Sequence, residues 1–401
     1  MSGTGSVGLV RTRTARVFGG ERPLVLASGA VIPEVDVAYE TYGTLNEARD
    51  NAVFICHALT GDAHAAGRHA PDDHRPGWWN SIIGPGKPID TDRYFVIADN
   101  LLGGCQGTTG PASINPETGR PYGLDFPLLQ IVDFVTVHRA LLAHLGIDRL
   151  LAAVGGSMGG MQALQWALSW PEQLASAVIV AASSRLTAQN IAFSAVARES
   201  IMRDPGFSAG RYLEAGTSPD TGLSIARMMA HITYLSEEGM DQKFGRRFQF
   251  DDSPDSGVHR GPGAERGFGV DFAVESYLDH QGKAFLSRFD ALSYLYLTRV
   301  MDYFDPFADP HATDRLAEIG ARCLVLSFDT DWRFDTTHSR VIVRRLEHAR
   351  VPVSFREIRS PWGHDSFLLP IDTYHRTVDA FLTRAALDRR QRTATAPGGA
   401  R

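Results

Sequence analysis

Residues 150–160, LLAAVGGSMGG, restrict this chain more than any other stretch. An apolar, strand-like run stops at Gly155 and Gly156. Ser157 and Met158 follow, and Gly159 and Gly160 open a helix-like segment, MQALQWALSW, that Pro171 closes. A strand that becomes a helix within so few residues presses backbone against backbone, so the neighbours must be small. A serine at the apex stands clear of the strand end, and the new helix points unpaired N–H groups at the same place. Such a layout suits a nucleophile whose attack creates an oxyanion, because a hydroxyl is weak unless a base stands beside it. Glycine-rich turns are common; partners further along the chain single this one out.

Around the turn, apolar runs alternate with amphipathic ones. Residues 52–57 (AVFICH), 94–98, 177–182 (AVIVAA), 322–327 (RCLVLS) and 353–358 read as strands. Residues 131–145, 161–170, 337–348 and 374–387 read as helices. Residues 24–26 and 35–39 read as two strands joined through a Gly/Pro turn. The alternation predicts an α/β fold, a mostly parallel sheet with helices on both faces. It breaks at Ser183. From there to about 315 the chain is mainly helical (186–202, 222–236, 285–301), with a polar, glycine-rich stretch at 251–268 expected to form a mobile loop. The expected division is a core domain of residues 20–184 and 316–388, an inserted helical cap of 185–315, and flexible tails at 1–19 and 389–401.

A net charge of −6 offers no general attraction to nucleic acid or to an anionic membrane. No 18-residue apolar segment and no signal-peptide pattern is present, so a cytoplasmic protein without membrane partners is expected. Three cysteines, Cys56, Cys105 and Cys323, are too few for a disulfide framework. His64, His69 and His74 share one loop, but histidine density in a loop is weak evidence for a metal site; no cysteine pair has metal-ligand spacing, and no metal is expected.

A serine nucleophile needs a base, and the base needs an orienting carboxylate. Directly after the strand at 322–327 comes SFDTDWRF, and directly after the strand at 353–358 comes SPWGHD. Ser157, Asp331 and His364 are the candidate set, with Asp329 and Asp335 competing for the acid. The order Ser, Asp, His is that of the α/β-hydrolase fold. Oxyanion donors are then expected from the backbone N–H of Met158, after the nucleophile, and of Leu59, in the HALTG loop after residue 57.

With SMGG, HALTG, LGGCQGTTGP and GHD, the chain resembles the homoserine O-acyltransferase family. Further matching strings are WWNSIIGPGKPIDTDRYFVIADN, GLSIARMMAHITYLSEE and FAVESYLDHQGKAFLSRFDALSYLYLT, so the likeness spans nearly all of 20–380. The resemblance implies an α/β-hydrolase fold and ping-pong transfer of an acyl group from acyl-CoA to an amino-acid hydroxyl, towards methionine. It implies no permanently bound cofactor and a homodimer held through the cap. It makes Asp331, in TDWRF, the triad acid. It also makes Arg227, Asp365 and Tyr234 substrate-pocket residues.

Arg333 bears on the donor. Members resembling succinyl-using enzymes carry D-W-R-F, and a guanidinium there suits the distal carboxylate of succinyl-CoA; acetyl-using members carry an aliphatic residue. Succinyl-CoA is therefore the expected donor and acetyl-CoA the alternative. Two features pull the other way. Asp335 stands where the family often has Pro and offers Arg333 a neutralising acid, and the loop LGGCQGTTGPASINP looks like that of acetyl-using relatives. Homoserine is the expected acceptor, ahead of serine, which differs by one methylene, worth about 1–3 kcal/mol. A simple ester hydrolase is the further alternative.

Overall fold

The computed structural model describes residues 5–249 and 269–395. Among them, one sheet carries the fold. Its strands are β1 (Arg13–Phe18), β2 (Val35–Tyr42), β3 (Ala52–Cys56), β4 (Phe95–Asp99), β5 (Leu150–Gly156), β6 (Leu174–Val180), β7 (Arg322–Phe328) and β8 (Val353–Ile358). They lie in the order β1-β2-β4-β3-β5-β6-β7-β8. β1 pairs antiparallel with β2 and β2 antiparallel with β4; every later pairing is parallel. Strand β5 is central, and the turn that carries Ser157 emerges at its carboxyl end.

Period-two alternation sorts each central strand onto two apolar layers. Phe54, Cys56 and Ala153 face one side, packed with Phe134 and Leu141 of α1 (Ile131–His144) and Met161, Leu164 and Trp166 of α2 (Met158–Ser169). Val53, Ile55, Ala152 and Val154 face the other, against Trp79 and the long C-terminal helix with Tyr374, Val378 and Leu382. Both faces are covered, which is why the strands read as unbroken apolar runs.

Between β6 and β7 the described residues are mainly helical: α3 (Ala188–Met202), α4 (Asp220–Tyr234), α5 (Ala273–Leu286) and α6 (Ala291–Asp302). A buried ion pair, Arg198–Asp302 at 2.7 Å, ties α3 to the end of α6. After β7 and β8 come the helices α7 (Thr336–His348) and α8 (Asp372–Thr395).

Several expectations change. The expected N-terminal tail is not free at 13–18: these residues are edge strand β1, where Ala15 is buried and Arg16 pairs with Glu34 and Asp36 at the start of β2. The C-terminal tail expected from 389 is helical as far as Thr395. Residues 24–25 pair with 31–32 in a separate hairpin, and 35–42 joins the main sheet instead. The single helix expected at 285–301 is two, because Asp290 caps a new helix by accepting from the Ser293 N–H (2.8 Å). The expected loop at 251–268 lies outside the described residues, as do 1–4 and 396–401.

Candidate active site

The turn between β5 and α2 is as tight as its glycines require. Ser157 has φ 58° and ψ −124°, a conformation that costs a non-glycine residue about 1–3 kcal/mol. Its N–H donates to the Val180 carbonyl at 2.9 Å, which locks the bend to β6. A Cβ at Gly155 would lie 2.2 Å from the Gly159 oxygen, and one at Gly159 would lie 2.0 Å from the Cys56 oxygen. No side chain fits at either position, so these glycines set how closely the turn packs on itself and on β3.

His364 sits in the 3-10 turn Gly363–Leu368. The indole N–H of Trp79 donates to the Phe367 carbonyl (2.8 Å) and the Ser81 hydroxyl to the Leu368 carbonyl (3.1 Å), so residues 79–81 hold this turn against the core. His364 Nε2 lies 2.8 Å from Ser157 Oγ, and Nδ1 lies 2.7 Å from Asp331 Oδ2. Ser157 is 8% exposed, and Asp331 and His364 are each 2% exposed. The imidazole is boxed by the rings of Phe334, Phe367 and Tyr234, with centroids 5.1, 5.7 and 5.8 Å away.

Geometry also separates the three acids. Asp331 Oδ1 accepts from the N–H groups of Arg333 (3.0 Å) and Phe334 (2.9 Å), leaving Oδ2 for the imidazole. Asp329 accepts from the Ser360 N–H (2.9 Å) and braces the loop. Asp335 caps α7 through the Thr337 N–H (2.8 Å). Asp335 therefore does not neutralise Arg333, contrary to that expectation.

Leu59 and Met158 are both buried beside the turn. Met158 is the first residue of α2, where a helix leaves its N–H without an internal partner. Among the described residues neither the Leu59 nor the Met158 N–H has a protein acceptor.

The helical segment supplies the rest. Arg227 of α4 donates to Thr60 Oγ1 (3.2 Å) and lies over the Phe285 ring at 4.8 Å. It lines a cavity of about 560 Å³ together with Asp62, His64, Phe285 and Arg288. Asp365 has its carboxyl raised, chiefly by burial; the charges of His364 and Arg227 oppose that rise. Arg333 is 8% exposed, donates to Thr233 Oγ1 (3.0 Å) and stacks near Tyr234 (5.5 Å). Among the described residues neither Arg227 nor Arg333 forms a salt bridge, although the charge of Arg227 reaches Asp365. A small pocket beside Arg333 is lined by Phe193, Ser194, Thr233, Tyr234 and Tyr294.

The thiols do not compete with Ser157. Burial pushes Cys105 up to about 11 and Cys323 up to about 12, and holds Cys56 well above its ordinary value. His64 and His69 do converge with Glu40, the three ligand atoms lying within 4.8 Å of one another; His74 is not part of the group. Both Glu40 oxygens already accept two hydrogen bonds each: Thr12 (2.8 Å) and His69 (2.7 Å) on one, Tyr42 (2.8 Å) and His64 (3.1 Å) on the other. A carboxylate so fully used ties β2 to Thr12 and to the loop that carries His64 and His69.

Sequence reasoning missed a buried polar chain below the turn: Asp99, His138, Gln162 and His57. The signal was available, since His57 and Asp99 stand at the ends of apolar runs and His138 and Gln162 fall among the apolar positions of their helices.

A mostly parallel sheet of this order, with a Ser–His–Asp set at the carboxyl ends of its strands, defines the α/β-hydrolase class of serine-nucleophile enzymes. The family described as alpha/beta hydrolase fold matches residues 51–370. The homoserine O-succinyltransferase of Magnetococcus marinus is 56% identical over 388 residues, covering 95% of this chain and 96% of its own. A homoserine O-acetyltransferase structure from Bacillus anthracis superposes with TM-score 0.81 at 28% identity, covering 93% of this chain and 98% of that one. The structure of esterase E22 superposes with TM-score 0.80 at 30% identity, covering 93% and 100%. The chain belongs to the homoserine O-acyltransferase family. Among the described residues, no helix is long and apolar enough to cross a membrane.

Proposed function

We infer that this enzyme transfers the succinyl group of succinyl-CoA to the hydroxyl of L-homoserine, an activating step towards methionine. The observation that carries the donor assignment is the buried, unpaired Arg333 beside the triad. An uncompensated buried cation is costly unless a ligand brings the opposite charge, and the distal carboxylate of a succinyl group does so. An acetyl group brings none. Relatives named homoserine O-succinyltransferase at 56% identity agree with this choice.

The chemistry follows from the 2.8 Å contact between Ser157 Oγ and His364 Nε2. His364 takes the hydroxyl proton as Ser157 attacks the thioester carbonyl. The N–H groups of Leu59 and Met158 receive the oxyanion. The tetrahedral adduct collapses, the C–S bond breaks, and the thiolate of coenzyme A leaves with the proton from His364. The acyl-serine then meets homoserine, whose hydroxyl gives its proton to His364 and attacks the ester. Collapse returns the proton to Ser157 Oγ and releases O-succinylhomoserine. Arg227 pairs with the amino-acid carboxylate and Asp365 with its ammonium, and Tyr234 packs the acceptor against the imidazole. No permanently bound cofactor takes part; acyl-CoA is a co-substrate.

In this reading the described residues of 185–315 form a cap that shields the acyl-enzyme and joins two subunits. Ile191, Val196 and Met202 of α3 and Ile225 and Ile232 of α4 are exposed apolar residues, the kind of surface a homodimer covers. Free cysteines suit a cytoplasmic setting.

The test is an intact mass after incubation with succinyl-CoA alone, then with homoserine. A gain of about 100 mass units, the succinyl group, that homoserine discharges is expected for the two-step route. A gain only with acetyl-CoA, about 42 units, would reassign the donor. Thiol release that ignores homoserine would mark a hydrolase instead.

A further inference from the structure

The HALTG loop is gripped from below by the side chain that begins it. The Ala58 carbonyl oxygen lies 2.6 Å from His57 Nδ1 and 3.0 Å from the Gly61 N–H. A carbonyl only accepts, so Nδ1 carries the proton. His57 Nε2 accepts from the Leu101 N–H at 3.1 Å, so that nitrogen is bare. The imidazole is thus held neutral in one tautomer, and its burial, which lowers the pKa, acts in the same direction. Gly61 makes room for it: a Cβ there would lie 2.9 Å from His57 Cβ and 3.1 Å from Nδ1.

The peptide so clamped joins Ala58 to Leu59. Its plane is rigid and, in the trans form found throughout the described chain, the C=O and N–H point in opposite directions. Fixing the oxygen on His57 and Gly61 therefore fixes the direction of the Leu59 N–H, which has no protein acceptor among the described residues.

The buried chain behind His57 extends the grip. Gln162 Nε2 donates to the His57 carbonyl (3.0 Å) and to the Met158 carbonyl (3.2 Å). Its Oε1 faces His138 Nε2 (3.1 Å), and His138 Nδ1 faces Asp99 Oδ2 (2.7 Å). One amide thus joins the two segments that present the Leu59 and Met158 N–H groups.

We propose that His57 is a positioning residue for the oxyanion hole: its Nδ1–H orients the Ala58–Leu59 peptide, and Gln162 holds that loop in register with the turn at Ser157. The assignment rests on the acyl-transfer reading. It predicts that His57 acts on the tetrahedral state and not on substrate binding.

The experiment compares His57→Gln, His57→Asn and Gln162→Met with the wild-type enzyme on succinyl-CoA and homoserine, with an infrared measurement of the acyl-Ser157 ester carbonyl. Asn keeps an N–H donor near the Nδ1 position; Gln does not. His57→Gln is expected to lower kcat about 100-fold, the scale of a lost oxyanion donor, with KM held within about threefold. Its ester band should move to higher frequency. His57→Asn should recover about tenfold of that loss and return the band towards the wild-type position. Equal impairment of Asn and Gln with an unmoved band, or a His57→Gln kcat within about threefold of wild type, would overturn the assignment. Should both His57 variants fail to fold, Gln162→Met leaves the imidazole in place. A kcat loss of about tenfold with a shifted band supports the clamp, and no change in either overturns it. A wild-type enzyme that forms no acyl-serine would overturn the acyl-transfer reading itself, and this assignment with it.

Discussion

The backbone N–H of Arg333 donates to Asp331 Oδ1 at 3.0 Å, so the turn that steadies the acid beside His364 also launches the guanidinium towards Thr233. In the proposed function, orientation of the base and recognition of the acyl group thus share one short loop. The Trp332 indole N–H pins the same loop to the Leu235 carbonyl, just beyond α4, at 2.9 Å.

Asp331→Asn should keep that loop, because an amide oxygen still accepts both backbone N–H groups. The imidazole loses its anionic partner and its correct tautomer. A fall in kcat of about 10⁴ is expected, with an unchanged melting temperature, measured by thiol release from succinyl-CoA. A loss below tenfold would remove Asp331 from the mechanism.

Arg333→Leu should split two properties. Succinyl transfer should fall by about 10² or more relative to acetyl transfer, since a charge-assisted contact to the distal carboxylate is lost. The unliganded protein should melt higher, because a buried cation without an ion-pair partner is gone. Competition assays with the two donors and thermal melts of the free enzyme measure both. Equal loss with both donors would sink the role in donor choice.

Ser157 holds a positive φ that a non-glycine residue adopts only at a cost. Ser157→Ala and Ser157→Gly should both abolish the mass adduct. The Gly variant should be the more stable by about 1–2 kcal/mol, because φ 58° costs glycine little. Denaturant melts of the pair test this; equal stabilities would show that the turn holds no such strain.

Asp365 should make acceptor binding sensitive to acid. Burial raises its carboxyl above the ordinary 3.8, so it takes up a proton at a higher pH than a free aspartate. The neutral form no longer pairs with an ammonium, so KM for homoserine should rise as pH falls through that raised value. Asp365→Asn should show a high KM at every pH and little change in the first, CoA-releasing half-reaction. A homoserine KM in Asp365→Asn that still climbs in acid would assign the effect elsewhere.

Glu40 should confer stability within a pH window. Burial alone would raise its carboxyl, but hydrogen bonds from His64, His69, Tyr42 and Thr12 outweigh that and hold it below 4.5. Its contribution is full above 4.5 and is lost as pH falls through the lower native value. For His64, burial would lower the pKa, and the hydrogen bond and charge of Glu40 hold it above 6.5. That contribution is full below 6.5 and is lost as pH rises through the raised value. Glu40→Gln should therefore cost most between pH 4.5 and 6.5, read from melts of both proteins at pH 5.5 and 8.5. An equal cost at the two pH values would rule out the proton-linked pairing.

The chain by itself determined the parts that depend on local chemistry. Unbroken apolar runs such as AVFIC can be satisfied only as buried strands, and GGSMGG admits few turns other than a bend too tight for side chains. The order Ser157, Asp331, His364 was legible because each lies just beyond a strand end. What the chain could not show is anything decided by partners distant in sequence. That Asp331 rather than Asp329 or Asp335 faces the imidazole depends on which backbone N–H groups occupy the other oxygens. The burial of Arg333 against Thr233, the edge strand at 13–18 and the His57–Gln162 chain all arise from contacts between remote segments. A lone polar residue reads the same on paper whether water or a carbonyl from another strand will meet it. Only packing removes the water and leaves a single partner within reach.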